Sequence, residues 1–340
     1  MIRRTLFVVV LCAAVLVLQS LFGAAPIRVM ILDGESGGPY HNWQALTPAL
    51  KLQLEQTGLF QVDVVTAPPA GGDWASFKPD FGAYRAVVMN YDAPDSRWPA
   101  ELKESFEKYV SGGGGVVIVH AADNAFPGWP AFNEMIGIGG WRGRNEKAGP
   151  YWYFKDGKLV SDPRPGNAGS HGLRLPYRIT TQEANHPIMR GLPKVWMHQG
   201  DELYDRMRGP GKNMTVLATA YSDPANRGTG NEEPALMAIT YGKGRIFHTI
   251  FGHDVYALAC VGSVVTFQRG TEWAATGKVT QKVPPDFPGP NTVSYRVDIA
   301  RLDPNYPKGL NPLDASPGGA GRSGAGRGEP APKRAGTPVP

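Results

Sequence analysis

Apolar residues in the first half of the chain recur at two alternating spacings. Residues 27–33 (IRVMILD) form a short apolar run that stops at Asp33-Gly34, the pattern of a strand buried on both faces. Trp43, Leu46, Leu50, Leu54 and Leu59 then follow at helical spacing. Val62, Val64 and Val65 predict a second strand, and residues 86–89 (AVVM) a third. Leu102, Phe106, Tyr109 and Val110 mark the apolar face of a second helix. Four consecutive glycines at 112–115 lead into VVIVH at 116–120. This β-α-β-β-α-β order predicts an α/β fold, a mostly parallel sheet with helices on both faces.

The second half reads differently. Strands are predicted over 178–180, 214–219, 235–241 and 245–250, the last two joined by the turn Tyr241-Gly-Lys-Gly244. A closing helix is predicted over 261–271, carrying Val264, Val265 and Phe267. Residues 141–171, rich in glycine, arginine and aromatics, read as an insertion. No internal repeat is visible.

Composition sharpens the picture at the ends. The chain has 340 residues, 42% hydrophobic and 19% charged, which suits a packed core and not a disordered chain. Its net charge of +5 comes from Arg3 and Arg4 and from the tail, so the folded part carries no excess to attract nucleic acid. Residues 1–25 combine a short basic start, an uncharged apolar run over 6–18 and small residues at Gly23 and Ala25. They predict a signal peptide cleaved after Ala25, hence a periplasmic or secreted protein with no membrane span after cleavage; the alternative is an uncleaved anchor. Cys260 then remains alone, so no internal disulfide is expected. Residues 26–278 are expected to form the folded domain, 279–314 an extended Pro-rich arm, and 315–340 a disordered Gly/Pro-rich tail. Nothing in the sequence specifies an oligomer.

Phosphate-binding motifs are absent: the four-glycine run precedes its strand, whereas a phosphate loop follows one. Gly34-Glu-Ser36-Gly-Gly38 fits the G-x-S-x-G pattern of a serine nucleophile, but it follows the first strand, and Pro39 and His41 intervene before a helix. Histidines near strand ends carry more. His41 follows the first strand, His120 ends VVIVH, and His253 follows RIFHTIF and a glycine. In an open parallel sheet such loops line one crevice, where three imidazoles can meet. Neutral imidazoles bind Zn²⁺ or a similar divalent ion, and an adjacent carboxylate completes the shell or serves as base. Asp201 and Glu202 in His198-Gln-Gly-Asp-Glu-Leu-Tyr204 are the acid candidates. His248, inside a strand, reads as a core residue, and His171 as surface.

Four blocks occur in order: residues 112–129 (GGGGVVIVHAADNAFPGW), 186–193 (HPIMRGLP), Asp201-Glu-Leu-Tyr204, and 241–245 (YGKGR) through Gly252-His-Asp254. Over residues 28–276 the chain resembles the trehalose-utilization (ThuA-like) family. The resemblance implies a flavodoxin-like fold related to class I glutamine amidotransferases. Those enzymes carry a nucleophilic cysteine just after the strand that here ends in His120, so amidotransferase chemistry is not expected. The family's link to disaccharide catabolism implies a small carbohydrate substrate, a 3-keto disaccharide or glycoside. The resulting expectation is an exported sugar-processing hydrolase or lyase. His120, His253, Glu202 and Asp201 would be catalytic, and His41, Tyr204, Trp129, Asn124 and Asp123 would bind substrate. His41, His120 and His253 would hold a divalent metal such as Zn. The alternatives are a non-catalytic sugar-binding module and a serine hydrolase using Ser36.

Overall fold

The computed structural model describes residues 25–37, 41–303 and Tyr306. The readings of a signal peptide at 1–25 and a disordered tail at 315–340 therefore fall almost wholly outside the described residues. The first half builds β1 (Ile27–Asp33), α1 (Trp43–Glu55), β2 (Phe60–Thr66), β3 (Ala86–Met89), α2 (Ala100–Ser111) and β4 (Gly115–Val119). A 3₁₀ turn over His120–Asn124 leads to α3 (Pro130–Ile136). Next come the hairpin β5 (Tyr151–Lys155) and β6 (Lys158–Asp162), then β7 (Ser170–His171), β8 (Tyr177–Thr181), β9 (Val195–His198), β10 (Tyr204–Asp205), β11 (Met214–Tyr221), β12 (Glu232–Tyr241) and β13 (Gly244–Thr249). The chain closes with α4 (Val255–Leu258), α5 (Val261–Thr276) and α6 (Val297–Ala300). Among the described residues no helix is long and apolar enough to cross a membrane.

The main sheet runs β2-β1-β3-β4-β13-β12-β11-β8-β9. The first five strands are parallel, and from β13 onward each neighbour is antiparallel. This is the α/β, flavodoxin-like arrangement expected, with an antiparallel wing built by the second half. β5 pairs with the start of β12, Glu232 opposite Phe154, and β7 and β10 form a separate two-stranded ribbon.

The parallel strands are apolar because helices cover both faces: β1, β3 and β4 are buried along almost their whole length. α5 lies flush on this sheet at two glycines. A methyl group on Gly270 would collide with the Phe247 ring, and one on Gly262 with the Trp196 ring.

Three expectations shift. Leu59 is not part of α1, which ends at Glu55 before a turn at Gly58. The closing helix runs five residues further than expected, to Thr276, and stops where Gly277 takes φ +76° and donates back to the Trp273 carbonyl. The insertion holds a real hairpin turning on Asp156-Gly157, both with positive φ, a two-residue turn matched to strand twist.

Buried guanidinium groups pin the insertion alongside the packing of its Trp141, Trp152 and Phe154 against the core. Arg144, 3% exposed, donates to the carbonyls of Asn124, Ala125 and Gly140 and to Asn133 Oδ1. Arg208, 1% exposed, donates to the carbonyls of Gly149, Arg164 and Gly166 and stacks on the Tyr151 ring. The described part of the arm crosses the surface, with Ser294 and Gly289 carbonyls accepting from Val261 and Met197 and Phe287 edge-on to Trp196.

Candidate metal centre

The carboxyl ends of the parallel strands reach one rim, as the crossovers require. β1 leads into the loop that delivers His41, just ahead of Asn42, which caps α1 by accepting from the Ala45 N–H. β4 delivers His120 at its first residue beyond the strand, with φ +46°, a left-handed conformation that costs a non-glycine residue energy. β13 leads through Ile250 and Gly252 to His253. Glu202 arrives from the segment between β9 and β10.

These four side chains converge. One nitrogen each of His41, His120 and His253 and one oxygen of Glu202 lie within 4.8 Å of one another. Glu202 Oε2 is 3.1 Å from His253 Nδ1, 3.6 Å from His120 Nε2 and 3.8 Å from His41 Nε2. Around a tetrahedral zinc, ligand atoms at ~2.1 Å from the ion sit about 3.4 Å apart, so the observed spacing is close to that of a closed shell. Nε2 of His41 and Nδ1 of His253 are buried with no partner besides the Glu202 carboxylate, and Nδ1 of His41 is buried with none. Orphaned imidazole nitrogens facing one carboxylate are what an ion would satisfy.

The surroundings orient each ligand. His120 Nδ1 meets the Ile250 carbonyl at 2.5 Å, which places the proton on Nδ1 and turns Nε2 toward the cluster, where the Tyr204 hydroxyl lies 2.8 Å away. Asp201 is fully buried beneath. It accepts from His198 Nε2 (3.1 Å) and from the backbone N–H of Gly252, His253 and Glu202. It thus ties the loop carrying His253 to the loop carrying Glu202, and it is a positioning residue for both.

Charge follows from these contacts. Burial works to raise the Glu202 pKa, yet bonding to His120, His253 and His41 holds it well below the carboxylate range. Burial, with charge on His120 and His253, pushes His41 down to about 4 against the pull of Glu202. Burial opposes charge on His120 as well, but Glu202 and Asp201 prevail and raise it. Glu202 is thus held ionised among the three imidazoles, the charge a divalent ion would meet there.

Several expected residues stand elsewhere. Asp123 is fully buried, 3.2 Å from His248 Nε2, forming a core pair behind the turn. Asn124 is buried against Gly140, with its carbonyl taken by Arg144. Trp129 packs among Trp98, Phe106, Phe126 and Phe132. The first three residues of the turn after β4, His120, Ala121 and Ala122, line the pit at the rim, whereas Asp123 and Asn124 turn beneath it. His171, read as surface, instead places Nε2 3.4 Å from Glu202 Oε1 while remaining 36% exposed. Its pairing with Tyr204 across the ribbon brings it there. Ser36 lines the same small pit as His41 and His120, about 10 Å³ in volume, room for a single water or ion, with any sugar ring left to the mouth outside. It sits in the loop well ahead of α1, so its surroundings are not the sharp strand-to-helix elbow of a serine nucleophile.

The ThuA family model, described as trehalose utilisation, matches residues 28–274. The crystal structure of a ThuA-like protein from Parabacteroides merdae is 49% identical, spans 81% of this chain and 99% of its own, and superposes with a TM-score of 0.77. One from Bacteroides uniformis is 17% identical, spanning 76% of this chain and 95% of its own, with a TM-score of 0.49. Comparison with curated proteins gives no match.

Proposed function

The chain belongs to the trehalose-utilisation family, and on that premise we propose that its histidine cluster is the divalent-metal centre of an exported enzyme acting on a 3-keto disaccharide or glycoside. The observation that carries this reading is the meeting of His41, His120, His253 and Glu202, from four separate segments, with buried nitrogens lacking any other partner. Three imidazoles and one carboxylate form a donor set suited to Zn²⁺. When bound, such an ion polarises a carbonyl oxygen, the group that distinguishes a keto sugar from its parent. The apolar leader at residues 1–25 supports export.

The chain's own residues then divide the work. A ring C–H beside a ketone is acidic. Its proton passes to His171 at the mouth; the electron pair left behind becomes a C=C bond as the glycosidic C–O bond on the neighbouring carbon breaks, and the departing oxygen takes up a proton from solvent. His171, at the mouth and against Glu202, is placed to exchange protons with solvent. Tyr204, fully buried with its hydroxyl 2.8 Å from His120 Nε2, positions that imidazole at the inner wall. Asp201 keeps Glu202 and His253 in register through the three backbone bonds it accepts.

The test uses protein purified without added ions. We expect about one divalent ion per chain, turnover of 3-keto-trehalose but not trehalose, loss of turnover with chelator, and its return with Zn²⁺. Glu202→Gln should lose both metal and turnover while keeping its melting temperature within a few degrees. Folded, metal-loaded protein that turns over neither sugar would remove the enzyme reading; saturable sugar binding by that protein would identify a binding module. Labelling of Ser36 by a fluorophosphonate would point instead to the serine hydrolase.

A further inference from the structure

A second cavity, of about 360 Å³, opens between the insertion hairpin and the start of β12. Its walls are Tyr151, Tyr153, Arg164, Arg206, Asn231 and Glu233, none of them a member of the histidine cluster. Tyr151 and Tyr153 are two apart on β5 and so share one face of the strand. The Arg208 guanidinium, 3.9 Å from the centre of the Tyr151 ring, covers that ring and stiffens it.

The polar groups are charge-compensated. Arg164 is paired with Asp162 at 2.7 Å and Arg206 with Asp205 at 2.9 Å, so neither guanidinium is a free cation, yet each keeps N–H groups to spare. Glu233 is 2% exposed; its Oε1 accepts from Thr229 Oγ1 and its Oε2 has no partner. Burial pushes its pKa up to about 8, so near neutral pH it stands as a carboxyl group able to donate as well as accept. Two aromatic faces, two compensated forks, an amide and a neutral carboxyl together suit a ring with an apolar face and a rim of hydroxyls. An anion would find no uncompensated positive charge. The volume admits one such ring.

We propose that this cavity is a second, non-catalytic site that binds one neutral pyranose ring, stacked on Tyr153 and hydrogen-bonded by Arg206, Asn231 and Glu233. Its position is set by register. Leu236 of β12 pairs with Thr249 of β13, so Glu233 lies beyond the end of β13, on the side from which His253 is delivered. The ribbon links the two sites, with His171 opposite Tyr204 and Ser170 opposite Asp205.

The experiment is calorimetric titration of the full chain with methyl α-D-glucopyranoside, glucuronate and inorganic phosphate, with and without chelator. The neutral glucoside should bind saturably at millimolar concentration, unaffected by chelator, which separates this site from the metal centre. Tyr153→Ala should weaken binding about tenfold or more, and Tyr153→Phe should restore it, because the ring face and not the hydroxyl makes the contact. Circular dichroism and melting establish that both variants fold. Failure of the glucoside to bind, binding that survives Tyr153→Ala, or binding of phosphate or glucuronate alone would each overturn the proposal.

Discussion

The parallel half of the sheet and the insertion that joins the sheet at β12 are held together by different forces. In the parallel half, β1, β3 and β4 bury runs of Val, Ile, Met and Leu between helices. Cohesion there is apolar and distributed over many side chains. At the insertion, Arg144 from within it and Arg208 from beyond it each gather three carbonyls, and each is nearly inaccessible. Cohesion there adds a few charge-assisted bonds to the packing of Trp141, Trp152 and Phe154. The first arrangement tolerates changes of shape poorly but has many contributors; the second has few contributors, and losing one strands several acceptors at once.

The sharpest break should come in the apolar half. Phe247→Ala removes a fully buried ring from beneath Gly270 and should cost about 4 kcal/mol, read as a uniform loss in denaturant unfolding. Arg208→Met should cost ~3 kcal/mol by leaving the carbonyls of Gly149, Arg164 and Gly166 without a donor. That loss should be local: faster hydrogen exchange at 151–171, with protection in β1, β3 and β4 kept. Uniformly faster exchange would show that the two regions are one cooperative unit. A smaller effect, ~1 kcal/mol, is expected from Thr47→Val, which deprives the buried Asp33 of one of its two hydroxyl donors while Thr66 remains.

The finest contrast is in pH. Glu233, beside the insertion, keeps its proton in the fold up to about 8 because it is buried. Between its ordinary 4.5 and that value the folded chain holds more protons than the unfolded one. Its contribution is therefore complete below 4.5 and lost as pH rises through 8. His186, edge-on to Trp273 of α5, runs the other way, pushed down to about 4 by burial and by Arg190. Its contribution is complete above 6.5 and lost as pH falls through 4. Melting profiles should thus flatten on the alkaline side in Glu233→Gln and on the acid side in His186→Gln. Unchanged slopes would remove both assignments.

The same contrast explains what could be read from the chain. The strands of the parallel half are legible because burial on both faces leaves uninterrupted apolar runs. β7 and β10 are two residues each and carry no periodicity, so the ribbon that brings His171 to Glu202 has no local signature. The β5–β6 hairpin carries one, Asp156-Gly157 between two mixed strands, inside the insertion. At the rim, His41, His120 and His253 are readable from their places just past strand ends. Asp123 and Asn124 show the limit of that rule: closeness to His120 in sequence says nothing of direction once the chain enters a 3₁₀ turn. The buried arginines offer no warning either, since a guanidinium bonded to carbonyls has no partner residue type to look for.

The flush seating of α5 on the sheet has a practical consequence. Exchanging a mid-helix glycine for alanine is a routine way to strengthen a protein, since alanine favours the helix by roughly 1 kcal/mol. At Gly262 and Gly270 the added carbon would act as a wedge, lifting the helix away from Trp196 and Phe247. Engineers seeking a hardier version of this protein should leave those two positions bare and look for gains on its solvent-facing helices.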